Sequence, residues 1–238
     1  MNERPPQSAA FAYLLIAAPV QFFGTWLAMV AYPDAAWAKA VFAAAKVTLM
    51  LLPVVWLLRV ERVRPRVPRW SHRGMLAAHL SGVVIVVVIA AAYAGFARHW
   101  IDRDALIAQV TAGGLATPVL YLAGAFYWCT INSLLEEYFW RWFVGERLRD
   151  VLPGGRRTRV ADLAACVLSA LLFTAHHVVA LLMLVDARTA ALGSAGVFAG
   201  GLIWSLLYLR YRNVWACWVS HVYADLIIFY LGWRLIFG

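Results

Sequence analysis

The sequence predicts an all-α, polytopic transmembrane helix bundle, and three observations carry that expectation. Hydrophobic residues fill 64% of the 238 positions and charged ones 14%, whereas a soluble domain holds roughly 45–50% apolar residues. The apolar positions fall in stretches longer than the ~20 residues that span a hydrocarbon core ~30 Å thick. The arginines sit in short runs between those stretches, the arrangement of a topology signal, so the formal charge of +9 points to anionic lipid headgroups and not to nucleic acid. An ordinary soluble globule is excluded, and a single integral membrane domain over 1–238 is expected.

Taken in order, the apolar runs predict about seven spans, at 10–31, 37–58, 75–96, 118–143, 161–184, 191–209 and 214–236, with an eighth broken or interfacial helix left open. The first is too long for a cleaved signal segment. Between the second and third lie Arg59, Arg62, Arg64, Arg66, Arg69 and Arg73 against Glu61 alone, whereas the next loop balances Arg98 and Arg103 with Asp102 and Asp104. Five arginines and two acids follow in 146–159, then one of each at Asp186 and Arg188, then Arg210 and Arg212. This alternation predicts a cytoplasmic N-terminus and an outer C-terminus, with the bacterial cytoplasmic (inner) membrane as the expected location. Pro65 and Pro68, and Pro153 with Gly154 and Gly155, mark connecting loops. Gly196 and Gly200 have the spacing that lets helices approach closely. Cys129, Cys166 and Cys217 all lie in apolar segments, without a CxxC spacing, and read as small core residues.

A charge at the bilayer centre costs roughly 2.5–3.5 kcal/mol on insertion scales, so ionisable groups at depth need partners or a task. Lys46 on the second span could pair with an acid or meet a substrate carboxylate, although snorkelling or a helix contact is the simpler expectation. On the fourth span Glu137 stacks under Arg141 at i, i+4 and can neutralise it. Glu136 projects about 100° away, on the face of Asn132 and Trp140, with no cation near it on its own helix. A carboxylate left over at such depth is either a neutral acid or a poised base.

The fifth span carries His176 and His177, which point in different directions, so spacing alone leaves open which one faces a shared site. On the seventh span His221 and Asp225 share a face at i, i+4 and could simply satisfy each other. Each feature has an ordinary packing explanation. Together they are most economically explained by convergence on one wet cavity.

Glu136-Glu137-Tyr138-Phe139-Trp140-Arg141 matches EExxxR, Phe173 to His177 matches FxxxH, and His221 to Asp225 matches HxxxD. In that order on successive polar-bearing helices they resemble the CPBP family of intramembrane proteases, which includes CAAX prenyl endopeptidases and relatives linked to bacteriocin immunity and peptide maturation. The resemblance covers roughly 115–236. It implies a glutamate-type endopeptidase in which Glu136 and His177 activate water and His221 with residue 225 stabilises the oxyanion. Aspartate at 225 departs from the commoner asparagine, and an ionised Asp225 would repel an oxyanion. It is therefore expected either to be protonated or to orient His221 and set its tautomer.

Glu136, His177 and His221 could in principle ligate zinc, but the HExxH pattern is absent, and metal-free hydrolysis of a peptide or membrane-anchored protein is expected. The competing expectation is a non-proteolytic immunity or accessory protein, or a transporter. One feature fits badly. Glu136 would stand about 10 Å above the cytoplasmic end of its span, and His177 ~25 Å along its own from Val160. If residues near 156–164 lie along the membrane surface or enter at a steep tilt, the buried part of the fifth span starts later and the two can meet.

Overall fold

The computed structural model describes residue 14 and residues 19–62, 70–152 and 158–238. The start of the first expected span, the turns at Pro65, Pro68 and 153–155, and part of both arginine runs lie outside them. Among the described residues there are eight helices: α1 (Pro19–Ala31), α2 (Ala36–Arg59), α3 (Met75–Gly95), α4 (Arg103–Ala112), α5 (Pro118–Val151), α6 (Arg159–Leu184), α7 (Ala187–Tyr211) and α8 (Val214–Ile236). Six are long and apolar enough to cross a bilayer; α1 is a shorter apolar helix and α4 a surface piece. Their outward residues, among them Leu76, Val87, Val119 and Leu182, are apolar and exposed, as a lipid-facing belt requires.

The helices begin where local chemistry satisfies their free N–H groups. Thr117 accepts from the amide of Leu120 with Pro118 following it, Thr158 from Ala161, Asn213 from Trp215, and Asp186 from both Arg188 and Thr189. The Thr189 hydroxyl and these amides hold the Asp186 carboxyl below its ordinary range.

Close helix approach uses other glycines than the expected pair. A Cβ on Gly196 would meet nothing within 4 Å, and one on Gly200 would meet only Trp204 of its own helix. Gly201 instead lies against Ala170 and Phe173 of α6, and Gly193 against Leu181. A tight crossing lies between α3 and α8, where a Cβ on Gly82 would fall 2.6 Å from the Tyr223 ring. Gly82→Ala is expected to cost about 1–3 kcal/mol by overpacking. A lowered unfolding temperature in detergent, partly restored by adding Tyr223→Ala, is the check.

The depth mismatch between Glu136 and His177 resolves on α5 and not on α6. α6 is a continuous helix from Arg159, so the expected surface segment is absent over its described part. α5 runs on to Val151, which puts Glu136 about 22 Å from that end, near the ~25 Å of His177. The extra turns are held by charge: Arg149 bonds Glu146 at 2.8 Å and Asp162 at 2.6 Å, and Arg212 bonds Glu146 at 2.5 Å. Arg147 pairs with Glu61 and with Asp150.

Candidate active site

The middle of α5 is wound unevenly. Tyr127–Asn132 and Glu137–Val144 are π-helical, separated by one α turn, Ser133–Glu136. Such insertions are rare and shift every following side chain around the axis. They present Asn132, Glu136, Glu137, Trp140 and Arg141 to the bundle interior, where all five are buried.

Glu136 is not the isolated carboxylate that its own helix suggests. Lys46 of α2 lies 3.5 Å from its Oε1 and donates a 3.0 Å hydrogen bond to Asn132 Oδ1. His176 Nε2 of α6 is 3.8 Å from the same oxygen, and His221 Nε2 of α8 is 4.0 Å from Oε2. Both histidines of α6 reach the site, since one ligand-capable atom each of Glu136, His176 and His177 fall within 4.8 Å of one another.

The two imidazoles are held differently. His177 donates from Nδ1 to the Phe173 carbonyl at 2.9 Å, which leaves Nε2 of the neutral ring as an acceptor. His176 stacks on Trp140 with 8° between planes, and neither of its ring nitrogens has a hydrogen-bond partner among the described residues. Its Nε2 stands 3.8 Å from Glu136 Oε1, just beyond hydrogen-bond distance.

The hydrogen bond of the His221 ring goes to Glu137, while Asp225 stands farther off. Glu137 Oε1 accepts from His221 Nδ1 at 2.9 Å, and Asp225 Oδ1 lies 3.6 Å from Nε2. Trp204 covers the ring, with centroids 3.8 Å apart and 17° between planes. The other oxygen of Glu137 takes a 3.1 Å bond from Arg141 Nε, and Arg141 Nη1 donates to Ser169 of α6 and Ser205 of α7. The Glu137–Arg141 pair therefore ties together four helices.

A cavity of about 300 Å³ opens beside this cluster between α2 and α5, lined by Lys46, Asn132 and Glu136 and by apolar residues including Phe42, Leu49 and Leu135. Its rim residues Val47 and Met50 are exposed on the outer face of the bundle, so it faces the lipid. Glu136, His176 and His177 stand close enough together to hold a metal ion, although the Lys46 ammonium 3.5 Å from Glu136 Oε1 competes for that carboxylate.

Residues 117–227, a little under half of the chain, match a family model described as type II CAAX prenyl endopeptidase Rce1-like. That is the family the motifs resemble. The Rce1-like segment starts at the N-cap of α5 and ends within α8, and so contains Glu136, Glu137, Arg141, His176, His177, His221 and Asp225. Lys46 lies outside it. No curated protein and no solved structure matches the chain.

Three contributors escaped the sequence reading or were left open by it. His176 had a usable signal: Ser169 to His176 is seven residues, which returns to within about 20° of the same helix line, whereas His177 lies about 80° past it. Trp204 had none, because an aromatic on an apolar helix looks like any other. Lys46 carried a signal of depth only, since nothing in its neighbourhood names a partner on α5.

Proposed function

We propose that the protein is an intramembrane endopeptidase that hydrolyses a peptide bond in a peptide or membrane-anchored protein. Its integral-membrane helices imply a lipid environment, and the Rce1-like match suggests a CAAX-type protease, hence a polypeptide substrate. The observation that carries the proposal is the gathering of Glu136 with the imidazoles of His176, His177 and His221 beside a cavity that opens toward lipid.

In the proposed reaction a water held between Glu136 and His177 attacks the scissile carbonyl carbon as Glu136 takes its proton. The carbonyl π electrons move to oxygen, giving an oxyanion. Its collapse breaks the C–N bond as Glu136 returns the proton to the leaving nitrogen, yielding a carboxylic acid and an amine. His177 Nε2, free as an acceptor, orients the water. His221, its Nδ1 held by the Glu137 carboxylate, offers its Nε2–H to the oxyanion, with Asp225 next to it. His176 completes the water's surroundings. An apolar anchored segment would reach the cavity sideways between α2 and α5.

The catalytic core is assigned to 115–236 within a single domain of 1–238. The arginine-rich ends of the spans are assigned to the cytoplasm of a bacterial inner membrane. The test compares membranes of cells making equal amounts of wild type or Glu136→Gln, with new peptide termini mapped by mass spectrometry. A fragment that appears only with wild type is expected. Identical termini in the two would instead favour an accessory or transport role.

A further inference from the structure

We infer that Lys46 is a further catalytic residue, whose ammonium follows the negative charge as it passes from Glu136 to the oxyanion. This rests on the endopeptidase reading above and adds a residue from α2, outside the Rce1-like segment.

The charges near the cavity motivate it. Arg141 is fully buried behind the site and committed to Glu137, Ser169 and Ser205, so it cannot turn to a substrate. The cavity wall carries the carboxylate of Glu136 and the ammonium of Lys46, and the nearby carboxylate of Asp225 lies against His221 Nε2. An oxyanion near His221 Nε2 faces Asp225, 3.6 Å from that nitrogen, and this carboxylate opposes the developing charge when ionised. A mobile cation on the opposite side of Glu136 offsets that repulsion.

Geometry permits the move. Lys46 stands near the middle of α2, too far from either helix end to snorkel, and its side chain turns inward with 22% exposure. An ammonium has three N–H donors; Asn132 Oδ1 takes one at 3.0 Å and Glu136 Oε1 faces a second at 3.5 Å. The third remains for a carbonyl oxygen. When Glu136 takes the proton from water it becomes neutral, and the attraction holding Lys46 to it vanishes as the same charge appears on the oxyanion a few ångströms away. Asn132 keeps the arm tethered in both states. The contact with the oxyanion exists only once attack begins and takes the place of the one lost at Glu136, so the transferred charge keeps a cation throughout the step, and such a contact acts on kcat.

The test uses full-length protein in liposomes with a synthetic peptide spanning the cleavage site mapped above. Lys46→Met is expected to lower kcat by about 100-fold, the loss typical of one oxyanion donor, with KM little changed. Lys46→Arg should retain part of the rate. In an Asp225→Asn background, where an amide replaces the opposing carboxylate, the Lys46→Met penalty should shrink to about tenfold or less, because the two sites are coupled. A defect confined to KM, as for a lysine that merely binds a substrate carboxylate, overturns the proposal. So does a turnover defect that raising the pH restores, as for a lysine that only keeps Glu136 ionised. Cleavage lost in Glu136→Gln but unchanged in Lys46→Met removes the Lys46 assignment alone; cleavage that persists in Glu136→Gln removes the endopeptidase reading with it.

Discussion

Glu136→Gln is expected to stop peptide hydrolysis while leaving the protein folded and in the membrane. Removing a positioned general base costs about 10²–10⁴ in rate. Here the loss should lie toward the upper end, because the same oxygens that take the proton from water also return it to the leaving nitrogen. The amide keeps the size and one acceptor oxygen of the carboxylate. Asn132 still holds Lys46 at 3.0 Å, so the cavity wall survives. Glu136→Asp is a graded control: one methylene fewer withdraws the carboxylate, and a misplacement of about 1 Å can cost 10²-fold. Single-turnover rates in liposomes, with abundance and thermal unfolding measured alongside, separate lost chemistry from lost protein. Equal rates for wild type and Glu136→Gln would contradict the assigned base.

The largest expected effect on stability is at Arg141. Its guanidinium is fully buried, bonded to Glu137 at 3.1 Å, within reach of Ser169 and Ser205, and 4.6 Å from the Phe173 ring centroid. Arg141→Met removes the guanidinium from the buried Glu137 carboxylate and leaves it only His221, and breaking a buried pair on one side costs about 3–5 kcal/mol. We expect a large drop in folded yield and in unfolding temperature in detergent. Adding Glu137→Met removes the orphaned charge, so the double variant should be more stable than Arg141→Met alone. It should nevertheless be inactive, because His221 loses the carboxylate on its Nδ1. A double variant no more stable than Arg141→Met would show that the pair is held for its bonds to Ser169 and Ser205 and not for charge balance.

The motif residues on α5, α6 and α8 were visible because charge at membrane depth is costly and therefore stands out in an apolar run. What lay around them was less visible. Glu136 looked unpaired because the eye follows i, i+4 neighbours on one helix, while its cation sits 90 positions away on α2. Asp225 looked like the residue that orients His221 because it is four residues on. Glu137 reaches Nδ1 from another helix at 2.9 Å, and no spacing rule connects them. Helical-wheel geometry on α5 also misleads, since two π-helical stretches shift the register. The expected glycine pair on α7 failed for a related reason: which glycine meets a neighbour depends on how the helix is rotated, and Gly201, not Gly196, faces α6.

By itself the sequence determined a helical membrane bundle, the order of its spans and the residues whose polarity demands an explanation. Hydropathy, charge alternation and motif order are properties of one strand of chain. The tertiary structure alone decided which groups pair. It brought Lys46 to Glu136, set Glu137 on His221, brought both His176 and His177 within reach of one carboxylate, and extended α5 far enough for their depths to agree. The physical reason is that in lipid each backbone is satisfied within its own helix. Helix existence can therefore be read locally, whereas the rotation, height and partners of each helix come from side-chain packing and charge pairing between segments distant in sequence.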